Sequence, residues 1–175
     1  MFSLCKAART ALLVTLIAMG LTVVDRATAQ LGFIPRFRIK AGVFLPQNTS
    51  LQNAVGNTWF KIGADVNVPF SLVPLGSARV GIEYAVNGSS NIVPITLTQV
   101  IQPSVGVHSP LYFGAGIGLW TGHIRGRGTD TRFGFRLLGG LEFTSRLFLE
   151  LQYDFVGRMG DTHVDGLSVL VGTKF

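Results

Sequence analysis

From residue 36 onward, hydrophobic and polar side chains alternate. In Arg36-Phe37-Arg38-Ile39-Lys40-Ala41-Gly42-Val43-Phe44-Leu45 one parity carries Phe37, Ile39, Ala41, Val43 and Leu45, while the other begins Arg36, Arg38 and Lys40. A period of two puts these sets on opposite faces of a β-strand, each face meeting a different medium. The same reading predicts strands over 59–68, 77–86, 92–101, 111–120, 132–143, 147–156 and 167–175, eight in all. The fourth is the least regular: Pro94 donates nothing to a ladder and Gln99 falls among apolar positions, which moves its expected start toward Ile95. The connectors 46–58, 87–91, 122–131 and 157–166 fall at one end of such a sheet, and 69–76, 102–110 and 144–146 at the other.

One parity of every strand is uncharged. The opposite parity carries Arg36, Arg38, Lys40, Lys61, Asp65, Arg79, Glu83, Arg132, Arg136, Glu142, Glu150, Asp154 and Lys174. Two closed architectures share this alternation: a soluble lipocalin-like barrel with its apolar face inside, and a transmembrane barrel with that face toward lipid. Aromatic placement favours lipid. Phe37, Phe113, Phe143 and Phe175 gather at one end of the apolar face, and Phe60, Tyr84, Phe133 and Phe155 at the other, as two interfacial girdles would. Glycines such as Gly63, Gly134, Gly140 and Gly172 lie on the charged parity, where a crowded lumen needs room for long side chains. Hydrocarbon also demands closure, because an open edge leaves backbone amides unpaired at several kcal/mol each. The expected fold is therefore all-β, a closed eight-stranded antiparallel up-and-down transmembrane β-barrel.

The segment before the barrel reads differently. Lys6 and Arg9 precede an apolar run from Ala11 to Val24, followed by Ala27-Thr28-Ala29, the pattern of a cleaved secretory signal peptide over residues 1–29. Fourteen apolar residues fall short of the roughly 20 that span a bilayer as a helix. The outer-membrane barrel domain then occupies residues 30–175. The single cysteine, Cys5, leaves with the signal, so neither a disulfide nor a thiolate metal site is expected. A mean hydropathy of +0.43 excludes a disordered chain and is high for a soluble enzyme of 175 residues. Residues 30–175 hold twelve basic and eight acidic side chains, but the basic ones form neither a run nor a helix face, so no nucleic-acid partner is expected.

Two stretches are more specific. Leu167-Ser168-Val169-Leu170-Val171-Gly172-Thr173-Lys174-Phe175 alternates Leu167, Val169 and Val171 and closes on Phe175, and Leu111-Tyr112-Phe113-Gly114-Ala115-Gly116-Ile117-Gly118 is an aromatic-Gly-x-Gly-x-Gly strand. On these the chain resembles the small bacterial outer-membrane barrels of the OmpA/OmpX type. The resemblance implies that the last strand is the signal read by the outer-membrane assembly machinery, and that the partners are outer-membrane lipid and lipopolysaccharide. The glycine run is not a dinucleotide fingerprint, since its spacing is Gly-x-Gly-x-Gly and no helix follows; no cofactor is expected.

An eight-stranded barrel is just wide enough for side chains to fill. Eight basic and five acidic residues on the inward parity predict a salt-bridged plug with an excess of positive charge. A narrow anion-preferring pore lined by Arg36, Arg38, Lys40, Lys61 and Arg136 is the alternative. Relatives that modify lipid A suggest an enzyme, but the apolar wall lacks the His, Ser and Glu of a deacylase. His108-Ser109 sits in a turn. An acyltransferase-like or metal site at the outer rim would have to use His123, Asp130, Asp161, Thr162, His163 or Asp165, whose spacing matches no site pattern. The expected role is structural or interactive, through loops in which Arg125, Arg127, Arg132 and Arg158 could meet lipid phosphates.

Overall fold

A computed structural model describes residues 36–69, 76–103, 110–126, 128–159 and 162–175. The expected signal peptide, His108-Ser109, Arg127 and Asp161 lie outside the described residues. Ten strands and one helix appear in chain order: β1 (Phe37–Pro46), α1 (Thr49–Val55), β2 (Trp59–Val68), β3 (Ser77–Asn87), β4 (Ser90–Ile101), β5 (Leu111–Ile124), β6 (Gly128–Glu142), β7 (Leu147–Phe155), β8 (Arg158–Met159), β9 (Thr162–His163) and β10 (Gly166–Lys174). Eight of the strands close into one antiparallel barrel in the order β1-β10-β7-β6-β5-β4-β3-β2, and β8 and β9 form a separate short hairpin. The closing seam pairs β1 with β10 from Arg38↔Lys174 to Pro46↔Gly166.

Parity sorts the side chains as period two requires. Outward positions such as Ile39, Ile62, Ile82, Ile95, Ile117, Leu137, Leu151 and Val171 are exposed, and Arg38, Lys40, Lys61, Glu83, Arg136 and Glu150 are buried. This inverts a soluble barrel, in which the apolar parity would face inward. Inward glycines create the space for bulk across the ladder. A Cβ at Gly140 would collide with the Tyr112 ring, and one at Gly172 with the Phe148 ring.

Several expectations about the ends need correction. The fourth strand begins at Ser90, so Pro94 lies inside it. The β3–β4 register runs from Ile82↔Ile95 to Ala85↔Ile92 without pairing Pro94 or Val93, while Pro94 keeps its place opposite Trp120 on β5. The ladder gives way on one side where proline has no donor. The expected 122–131 connector is mostly strand, because β5 and β6 pair as far as Ile124↔Gly128. The expected 87–91 connector is a two-residue turn opened by the positive φ of Gly88. Within 46–58 the chain forms α1, whose first turn uses the Asn48 carbonyl to accept from Leu51 and Gln52 and which ends at Gly56, φ 94°. A seven-residue helix is too short to leave a periodic signature.

Candidate functional site: the charged lumen

The barrel interior is built from the inward-facing alternate residues of the eight strands, and its middle is ionic. Lys40 of β1 places Nζ 2.8 Å from Asp65, 2.9 Å from Glu83 and 3.0 Å from Glu150. Lys61 of β2 lies 2.8 Å from Glu83 and 3.3 Å from Asp154, and donates to Gln152 at 3.1 Å and Ser168 at 2.9 Å. Arg136 of β6 forks between two carboxylates. Its Nη1 and Nη2 reach Glu83 at 2.9 and 2.7 Å, and its Nε and Nη2 reach Asp154 at 2.6 and 3.0 Å. Each of these cations has at least two anions, as a charge withdrawn from water requires.

Toward the end where β1 begins and β10 finishes the arrangement changes. Arg38 donates from Nη2 to the Tyr112 hydroxyl at 2.6 Å, and that hydroxyl donates to Glu150 at 2.9 Å. The Arg38 guanidinium stacks 3.7 Å from the Phe148 centroid. Arg79 approaches Glu150 at 3.9 Å and lies 5.1 Å from the Tyr112 centroid.

At the opposite mouth the lumen is apolar. Phe44, Leu51, Trp59, Ala85, Ile92, Trp120, Ile124, Val156, Met159 and Val164 form one buried cluster, with Leu51 supplied by α1, Met159 by β8 and Val164 by the segment leading into β10. Phe44 and Trp59 meet edge to face at 6.1 Å. The sequence reading missed this cap. Its strand residues occupy the inward parity, so their signal was apolar residues among polar ones near strand ends, as at Phe44, Trp59 and Trp120.

Nine of the thirteen inward-parity charges meet in the lumen: Arg38, Lys40, Lys61, Asp65, Arg79, Glu83, Arg136, Glu150 and Asp154. Four do not. Arg36 precedes β1 and is exposed. Arg132, in register with Trp120 of the apolar cap, is half exposed and pairs with Asp130 at 2.9 Å. Lys174 and Glu142 pair with each other at 2.7 Å on the rim near the termini, each about one-fifth exposed. These four share the charged parity of the sequence but lie toward the barrel ends, outside the network. The positive excess inside accordingly falls from the expected three to one. Tyr112, Gln152, Ser168 and Thr96, uncharged and therefore overlooked, complete the hydrogen bonds.

The outer-rim candidates serve local structure. Asp165 accepts from the backbone of Val156 and Gly157 at 2.7 and 2.8 Å, His163 accepts from Arg158 at 3.0 Å, and His123 meets Thr129 at 3.1 Å. No group of three or more His, Cys, Asp or Glu side chains among the described residues could hold a metal.

Outside, the eight expected girdle aromatics Phe37, Phe113, Phe143, Phe175, Phe60, Tyr84, Phe133 and Phe155 are all exposed, between 39% and 71%. Leu167, Val169 and Val171 share the outward parity of β10, and Phe175 follows that strand with its backbone donating to Phe37 at 2.9 Å.

The crystal structure of Neisserial surface protein A superposes on this barrel with a TM-score of 0.60 at 17% identity, covering 81% of this chain and 97% of that one. The fold is that of a small outer-membrane barrel. The N-terminal β-barrel domain of Pseudomonas aeruginosa OprF matches at a TM-score of 0.47 and 13% identity, over 80% of this chain and 97% of that one. No protein-family model and no curated protein matches the chain.

Proposed function

We propose that this protein is an integral outer-membrane barrel with a structural or surface-interaction role, exported behind a cleaved signal peptide and neither conducting nor catalytic. The observation that carries the reading is the lumen: an ionic network crosses its middle, and an apolar cap fills the mouth opposite the termini. A cavity of about 10 Å³ lies between Lys61, Asp154 and the aromatic cap, and another of about 10 Å³ lies against Arg79. Each holds about one water molecule, too little space at either place for a column of ions. Of the charges that would line an anion-preferring pore, Lys40, Lys61 and Arg136 are committed to Asp65, Glu83, Glu150 and Asp154. Among the described rim residues, His123, Asp130, His163 and Asp165 are committed to turns and neighbours, which favours an interaction surface over a lipid A-modifying site.

The partners that follow are outer-membrane lipid and lipopolysaccharide around the apolar wall, and the assembly machinery, which reads Leu167, Val169, Val171 and Phe175 during insertion. The loops at the capped mouth are the surface offered to other molecules. Outer-membrane fractionation and electrophoresis with and without boiling test the location, since a closed barrel resists unheated SDS and shifts once boiled. Planar-bilayer recording tests the plug: no discrete conductance is expected, and a reproducible anion-selective step would sink it. Unchanged lipid A mass on overexpression is the expected result for a non-enzyme.

A further inference from the structure

We propose that the lumen holds a buried site for one small monovalent anion of the halide class, seated against Arg79 on the side of the network nearest the termini. The charge balance motivates it. Among the described residues, five cations, Arg38, Lys40, Lys61, Arg79 and Arg136, face four carboxylates, Asp65, Glu83, Glu150 and Asp154. The excess has a definite place. Lys61 and Arg136 are matched closely by Glu83 and Asp154, with contacts from 2.6 to 3.3 Å. The remaining three cations share Asp65 and Glu150, with Lys40 alone of them also reaching Glu83, at 2.9 Å. Asp65 is engaged by Lys40 at 2.8 Å, and Glu150 also receives Lys40, at 3.0 Å. Arg38 and Arg79 are left with the same Glu150 oxygen at 3.5 and 3.9 Å, an oxygen that the Tyr112 hydroxyl already occupies at 2.9 Å.

Both arginines carry the consequence in their hydrogen bonds. Nε and Nη1 of Arg38, and Nε and Nη1 of Arg79, are buried without a hydrogen-bonding partner. Two guanidiniums flanking one tyrosine ring, at 4.9 and 5.1 Å from its centroid, concentrate positive potential in a region of low dielectric. A neutral water would satisfy an N–H without offsetting that charge, whereas an anion does both.

The cavity beside Arg79 supplies the room. Lys40, Arg79 and Arg136 surround it, with Thr96 and Thr98 as neutral neighbours and Asp65 as the single carboxylate. About 10 Å³ of space accommodates one water-sized particle, which admits a halide and excludes phosphate or an organic acid. Arg79 also keeps 11% of its side chain exposed, more than the other members of the network, so it is the least sealed of the five cations.

The test uses the full-length mature barrel refolded in detergent. Thermal unfolding is followed as sodium chloride or bromide replaces sodium gluconate at constant ionic strength, gluconate being too large for the cavity. The midpoint should rise by at least about 3 °C and saturate as a single site does. Arg79→Leu balances the network and should abolish that response while the folded band persists on unheated gels. Thr98→Val, which leaves every ion pair in place, should weaken it, and serves if Arg79→Leu does not fold. A bromide-soaked crystal should give an anomalous peak beside Arg79. Identical midpoints in halide and gluconate, an unchanged halide response in Arg79→Leu, or no bromide peak would each overturn the proposal and assign the space to water.

Discussion

Glu83 is the residue on which the lumen turns. Lys40, Lys61 and Arg136 all reach it, at 2.9, 2.8 and 2.7 Å. Removing one partner of a buried ion pair leaves an uncompensated charge and costs about 3–5 kcal/mol. Glu83→Leu is therefore expected to lower the stability of the barrel by that order in urea unfolding from liposomes. Glu142→Ala provides the contrast. Its pair with Lys174 lies at the rim and retains contact with solvent, so a loss of no more than about 1 kcal/mol is expected. Equal losses at the two positions would mean that the central charges are hydrated rather than sealed. Both carboxylates sat on the same sequence parity, and only burial separates them.

At the scale of the element, each strand is a two-sided surface whose faces cannot be exchanged. Ile117 on β5 and Val80 on β3 point outward near mid-strand. An acidic residue at either site should destabilise the barrel by about 2 kcal/mol in lipid, less than arginine or lysine there. Unchanged urea midpoints would contradict the assigned facing. On the inward side bulk is limited by the partner strand. Gly140 faces the Tyr112 ring, and Gly140→Val should cost about 1–3 kcal/mol through overpacking. The last strand carries a different prediction: Phe175→Ala should reduce the fraction recovered in the outer membrane while leaving the β-sheet signal of refolded protein intact. Normal insertion of that variant in a fractionation assay would remove the terminal aromatic from the assembly signal.

For the whole molecule, closure and plugging are separate achievements. The barrel closes because β1 and β10 run in register, which removes every free edge from hydrocarbon. The ionic network forms because side chains from strands far apart in sequence converge in the lumen. The apolar cap adds an independent seal at the far mouth, since α1, β8 and the segment leading into β10 each contribute a residue to it. Trp59→Ala should accordingly cost about 3–5 kcal/mol of stability, read by unfolding in liposomes. The central salt bridges should still block conductance in that variant. An open channel on loss of Trp59 would move the plug from the charges to the cap.

What could be read directly from the chain was the strand and its two faces. Period two is a local property, fixed by the pleat at each residue, so Ile39 and Lys40 declare opposite sides without knowledge of any partner. The eight barrel strands, their outward apolar wall and the nine charges that meet in the lumen follow from that rule. Height along the barrel axis does not, because it depends on how neighbouring strands are staggered on closure. For that reason Arg132 shared the parity of Arg136 yet lies outside the lumen, and Glu142 shared that of Glu150 yet meets Lys174 at the rim. The short helix α1, the β8–β9 hairpin and the apolar cap were also decided in three dimensions. Segments of seven and two residues hold no period of their own, and they are folded by the mouth they cover.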